Sequence, residues 1–198
     1  MLAGIGLLAL VLALALGSGA ARADDYADVN TLLRQGKSAE ALSKADAYIA
    51  VKPRDPQMRF LRGVILTEQG KPADVLAAFT VLTQEFPELP EPYNNLAALY
   101  AAKSQFDQAR AALEMAIKLN PNYATAHENL GDIYARLAGQ TYSRAQQLDP
   151  GSVTIAPKLA LLRQLGASAT APASSAGAMA PAASTPVAPL TRKQMRGK

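Results

Sequence analysis

The stretch Tyr93-Asn94-Asn95-Leu96-Ala97-Ala98-Leu99-Tyr100, followed by Phe106-Asp107-Gln108-Ala109 and then by Leu113, Ala116 and Pro121, decides the fold. Its apolar residues recur at spacings of three and four, the period of an amphipathic helix. Two helices fit, with a turn at Lys103-Ser104-Gln105. Ala97, Ala109 and Ala116 are small enough to let the two backbones approach, and Tyr93, Leu96, Tyr100 and Leu113 fill the space between them. Pro121 ends the second helix, because proline lacks the amide donor and clashes inside a helix. One such hairpin has an apolar face that it cannot bury alone, so it requires neighbours.

The neighbours are in the sequence. Pro53, Pro87 and Pro121 stand 34 residues apart, and so do Gly36, Gly70 and Ser104. Val29, Gly63, Ala97 and Gly131 fall in one register, as do Leu32, Leu66, Tyr100 and Tyr134. A fixed period of this length predicts stacked helical hairpins.

These residues resemble the tetratricopeptide repeat (TPR) pattern, which runs aromatic-x2-Leu-Gly-x2-Tyr, then Ala-x3-Phe, then Pro. The third repeat supplies Tyr93, Leu96, Ala97, Tyr100, Ala109, Leu113 and Pro121, and the fourth opens with His127, Leu130, Gly131 and Tyr134. The second is looser, with Gly63, Leu66, Val75, Phe79 and Pro87. The first keeps Val29, Leu32, Ala41, Ala45 and Pro53. The resemblance covers about residues 24–150. It implies an all-α fold, a right-handed superhelical solenoid of helical hairpins with a C-terminal capping helix and a disordered tail. The expected repeats are about 24–55, 56–89, 90–123 and 124–150, with the cap at 152–165.

The fourth repeat departs from the pattern. From Gly131 to Pro150 is 19 residues, whereas Ala97 to Pro121 is 24, and the missing five include the turn. Leu130, Ile133, Tyr134, Leu137, Thr141, Ala145 and Leu148 continue at helical spacing. The spacing predicts one helix from about Ala124 to Leu148, with Gly139 tolerated at about 1 kcal/mol; the alternative, a hairpin broken at Gly139, leaves too few residues for a turn and a full second helix. A further helix over 153–165 then caps the stack, with Leu159, Leu162 and Leu165 inward and a polar outer face.

Residues 2–16, LAGIGLLALVLALAL, are almost wholly apolar. Fifteen residues suit the hydrophobic part of a signal peptide better than a membrane span. Ala21-Arg22-Ala23 then reads as a cleavage site, which makes residues 1–23 a signal peptide and the protein an exported, periplasmic one. If the segment is kept instead, it is a membrane anchor. Residues 166–190 carry no charge and are rich in Ala, Pro, Ser and Thr, so they are expected to be a disordered linker before a basic end.

Net charge is +4, but residues 24–165 hold 15 Lys and Arg against 16 Asp and Glu. The excess lies in Arg22 and in Arg192, Lys193, Arg196 and Lys198. A basic stripe for nucleic acid is therefore not expected on the repeats. With no cysteine, there is no disulfide framework, thiol nucleophile or thiolate metal site. The one histidine, His127, stands where the repeat carries a large packing residue, and packing in the core or at an interface is its expected role. Glu128 and Asp132 beside it are read as a solvated groove wall rather than a metal site. No nucleophile motif or phosphate loop is present, so neither enzymatic activity, cofactor nor metal is expected.

The resemblance places a partner on the first helix of each hairpin. Carried onto this chain, its groove positions are Tyr26, Asn30, Leu33 and Arg34, then Gln57, Phe60, Val64, Thr67 and Glu68. They continue at Glu91, Asn94, Ala98, Ala101 and Ala102, and at Thr125, Glu128, Asp132 and Arg136. The principal candidates are Asn30, Phe60, Val64, Glu91, Asn94, Ala98, Glu128 and Asp132. Apolar in the middle and acidic towards the C-terminus, this wall suits another protein or a peptide of some basic character. The clamp that binds C-terminal carboxylates in related repeats is not expected: Tyr26 and Glu91 stand where it needs lysines. The implied role is an adaptor of the bacterial envelope, or, with the anchor kept, an assembly factor for pilus, secretion or cell-wall machinery.

Overall fold

A computed structural model describes residues 20–170, with side chains from residue 25 to 165. The leader, the expected disordered linker and the basic end therefore lie outside the described residues, apart from the backbone of 20–23 in the leader and of 166–170 in the linker. The described residues form eight helices and no strand: α1 (Ala20–Arg34), α2 (Ser38–Val51), α3 (Pro56–Glu68), α4 (Pro72–Glu85), α5 (Pro90–Ala102), α6 (Phe106–Leu119), α7 (Ala124–Leu148) and α8 (Ile155–Thr170). Two compact units divide between Leu82 and Thr83.

The 34-residue period appears directly in the backbone. Gly36, Gly70 and Ser104 all take positive φ, at 72°, 65° and 58°. Each closes its first helix in the same way. Lys37 N–H donates to Leu32 O and Gly36 N–H to Leu33 O; Lys71 and Gly70 repeat this on Leu66 and Thr67, and Gln105 and Ser104 on Tyr100 and Ala101. This is the paired hydrogen bonding of a Schellman end, which satisfies carbonyls the helix leaves open. Ser104 is the one non-glycine in this conformation among the described residues. A left-handed L-residue costs roughly 1–2 kcal/mol, part of which glycine gives back through its freer unfolded chain. Ser104→Gly is therefore expected to stabilise the second unit by about 1 kcal/mol, read as a raised melting temperature. A lowered one would mean that the Ser104 side chain holds the turn.

In the first unit α1 packs on α2 and α2 on α3. Val29, Ala41, Ala45, Met58 and Ile65 are fully buried there, with Tyr48 nearly so. α4 joins through Phe79, which is 0% exposed. A Cβ built on Gly63 would stand 2.6 Å from Cε1 of that ring and 2.7 Å from Cζ. The glycine of the second repeat is thus the seat of Phe79, whose ring is fully buried. Gly63→Ala is expected to cost about 1–3 kcal/mol as overpacking, measured by denaturant titration. Adding Phe79→Leu should recover part of it, because the two side chains share one volume. An unchanged midpoint for Gly63→Ala alone would show that the ring yields.

In the second unit α5, α6 and α7 pack in sequence and α8 packs on α7. Ala97, Ala109, Leu113, Ala116, Tyr123, Ala126 and Ile133 form its core, and Tyr93, Tyr100 and Leu130 pack around it. α7 runs unbroken for 25 residues. Gly131 is exposed, with nothing within 4 Å of a built Cβ. Gly139 instead faces the returning chain, with Leu162 Cδ1 at 4.0 Å.

The ends differ from expectation. α1 already includes Ala20, ahead of the expected residue 24, and the run Ala20-Ala21-Arg22-Ala23 favours helix. α8 continues past residue 165 to Thr170, where Ala167 and Ala169 favour helix. Residues 166–170 are therefore helical rather than linker. The outer face of α8 shows Lys158 and Arg163, as expected, but also Leu161 and Leu165, the latter expected inward, each 62% exposed.

Candidate functional site

Each unit presents its own wall of first-helix residues. In the first unit, Asn30 is exposed on α1, and its Nδ2 donates to Tyr26 O at 2.8 Å. That bond keeps the amide along its own helix. On α3, Phe60 and Val64 stand one turn apart and are half-buried. Phe60 is held from behind by Phe79, with ring centroids 5.6 Å apart and tilted by 47°.

Behind this wall sits a network that sequence reasoning missed. Tyr26 and Tyr48 both donate to Asp55 Oδ2, at 2.6 and 2.9 Å. The other oxygen, Oδ1, accepts from Gln57 N–H and Met58 N–H at 3.1 and 3.2 Å, capping α3. Lys52 Nζ lies 4.3 Å from the Tyr48 ring centroid. Burial alone would raise the Asp55 pKa, but the hydrogen bonds from Tyr26, the Met58 amide, Tyr48 and the Gln57 amide outweigh it, and the carboxyl is held below its usual value. The Tyr26 phenol is pushed up, first by burial and then by its bond to Asp55. Tyr26, expected to face a partner, is thus committed to the fold. The clue was Asp55-Pro56, an N-cap residue followed by proline at the first helical position.

In the second unit, Glu91 and Ala98 are half-buried on α5, while Glu128 and Asp132 are exposed on α7 one turn apart. Asn95 Nδ2 donates to Glu91 O at 2.9 Å. Glu91 also helps burial to push the Tyr123 phenol up to about 12. Asn94 corrects the expectation. It is 2% exposed, and its Oδ1 accepts from Asn129 Nδ2 at 2.9 Å. A buried amide needs a partner, and here it ties α5 to α7 instead of facing a ligand. His127 is a second correction. It lies outside the core, exposed, with Nε2 3.0 Å from Pro121 O. Its ring reaches back over the turn, where the last carbonyls of α6 and its linker need satisfaction.

What remains open on these walls is chemically simple: two apolar side chains on α3, a small floor at Ala98, and carboxylates on α5 and α7. Among the described residues no group of three His, Cys, Asp or Glu could hold a metal. A separate groove of about 520 Å³ lies in the first unit between α2, α3 and α4, with Arg59, Arg62, Asp46 and Asp74 over Ile49 and Val81. Its charges balance, and Arg62 Nε already donates to Asp46 at 2.6 Å.

Residues 26–90 match a family described as tetratricopeptide repeat, and residues 99–137 one described as TPR repeat. The chloroplastic protein PYG7 of Arabidopsis thaliana, described as containing a tetratricopeptide repeat domain, is 34% identical over 76 residues, covering 36% of this chain and 25% of that protein. The chain spans a quarter or less of the length of the curated relatives it matches. A thermophilic TPR protein of Thermus thermophilus shares the fold at TM-score 0.55 and 22% identity, over 74% of this chain and 83% of that one. The second TPR domain of human RPAP3, solved with the HSP70 peptide SGPTIEEVD, matches at TM-score 0.51 and 14% identity, over 56% of this chain and 92% of that one. At such identities the likeness concerns the fold alone.

Proposed function

We propose, from the match of residues 26–90 and 99–137 to tetratricopeptide repeat families, that the chain is a non-enzymatic adaptor which holds a partner protein on its first-helix faces. TPR domains are protein–protein interaction modules, and the human neighbour above was solved with a bound peptide. The observation that carries the reading is the state of Phe60 and Val64. They are apolar, one turn apart on α3, and left half-covered although Phe79 fixes the position of one of them. A preset apolar surface of this kind can be covered by a partner without the entropy cost of first ordering it.

The second wall sets the charge of the partner. Glu91, Glu128 and Asp132 favour a basic segment and oppose an acidic one such as the HSP70 peptide. Tyr26 and Glu91, standing where a carboxylate clamp needs lysines, point the same way. We assign the chain to the bacterial envelope on the apolar run at residues 2–16 and the small residues before Asp24. No helix among the described residues is long and apolar enough to cross a membrane.

The test is a titration of a labelled peptide of alternating Lys and Leu with the full chain, beside a Glu–Leu counterpart. Replacing both Glu128 and Asp132 by lysine should weaken the first by roughly tenfold or more, about 1.4 kcal/mol. Both residues are exposed, so the fold should be unaffected. Equal binding of both peptides, or no effect of the charge reversal, would remove the acidic wall from the site.

A further inference from the structure

The terminal helix leaves apolar surface that neither the core nor the first-helix walls use. Its inner edge is engaged: Leu159 is 5% exposed, and Leu162 approaches Gly139 of α7. Pro157, Leu161 and Leu165 lie four residues apart on a second stripe, all exposed, with each leucine at 62%. At the turn into this helix Leu148 and Val153 are 71% and 84% exposed. Single exposed leucines are ordinary, but a stripe at i, i+4 and i+8 is the spacing with which one helix receives another.

The charges on α8 itself, Lys158 and Arg163, have one sign. Lys158 borders the stripe, its Nζ 5.2 Å from the Tyr142 ring centroid of α7. From Pro150 to Lys198 the chain holds six Lys and Arg and no Asp or Glu. This argues against two self-made covers. A second copy would bring two wholly basic segments together, which like charges oppose. The chain beyond α8 ends in Arg192, Lys193, Arg196 and Lys198, so as a cover it too would meet Lys158 with like charge. A membrane surface would require a broad apolar face, whereas the other apolar edge of α8 is already spent on α7.

We propose that the outer stripe of α8 docks an amphipathic helix of a partner protein, with leucine-like residues at i and i+4 and Asp or Glu beside them. Leu161 and Leu165 supply the apolar seam, and Lys158 sets the orientation. This surface is independent of the first-helix walls and has the opposite charge preference.

The probe is a labelled amphipathic helix of about five turns, built from Leu and Glu, with a Leu–Lys counterpart of the same apolar pattern. Both are titrated with the full chain by fluorescence anisotropy. The glutamate helix should bind roughly tenfold or more tighter than the lysine helix, and Leu161→Glu or Leu165→Glu should each weaken it roughly tenfold or more. Lys158→Glu should narrow the preference between the two probes. Circular dichroism of the variants should be unchanged, since both leucines face solvent. Binding that ignores Leu161 and Leu165 would overturn the proposal. So would a Leu161-dependent dimer seen by light scattering, or Leu161-dependent sedimentation with anionic phosphatidylserine vesicles, in the absence of peptide binding.

Discussion

Phe79→Ala is expected to destabilise the first unit by about 3–5 kcal/mol. Phe79 is among the largest fully buried side chains. Its ring fills the seat left by Gly63 and backs Phe60 at 5.6 Å. Truncation empties both contacts at once, and glycine at position 63 has no side chain with which to fill the hole. The loss should appear as a lower denaturation midpoint for the first unit with the second little changed. Phe60 should also lose its fixed position, so partner binding at α3 should weaken along with stability. A cost below about 1 kcal/mol would mean that the hairpin collapses around the cavity.

Asp55→Ala is expected to cost about 2–4 kcal/mol, from a lost N-cap of about 1 kcal/mol and two phenols left short of an acceptor at about 1–3 kcal/mol together. The carboxylate is bonded by Tyr26 from α1, by Tyr48 from α2 and by two amides of α3, so one side chain joins three helices. The pH dependence has a definite sign. The folded carboxyl titrates below its unfolded value, so its contribution is complete above the unfolded pKa of about 4 and is lost as pH falls through the folded pKa. The wild type should therefore lose more stability than Asp55→Ala on acidification below about pH 4. Parallel stability curves for the two proteins would show that folding leaves the Asp55 pKa unchanged.

Most of the architecture was legible, and the reason is periodicity. Turns at Gly36, Gly70 and Ser104 are fixed by the backbone need for positive φ, and that need recurs every 34 residues whatever the side chains do. The unbroken α7 was legible because five missing residues leave no room for a turn. The functional faces were less legible. A three-to-four spacing marks a helix but cannot separate two stripes on one helix, so Leu165 was expected inward with Leu159. The register of the repeat put Asn94 on the partner side, but it could not show that Asn129, 35 residues on, would claim its oxygen. Tyr26, Tyr48 and Asp55 are spread over 29 residues and carry no shared period, so only the fold brings them together. His127 occupies the packing position of its repeat, yet the polar ring finds the Pro121 carbonyl instead.

The central claim is that the first-helix faces receive the partner. Photo-reactive residues at Val64, Ala98 and Asp132 would test it in the producing cell, beside controls at Ala47 on α2 and Ala111 on α6, both exposed second-helix positions. The predicted result is one protein cross-linked from the first-helix probes and absent from the controls. Adducts from Ala47 or Ala111 alone would contradict it and move the binding surface to the opposite helices.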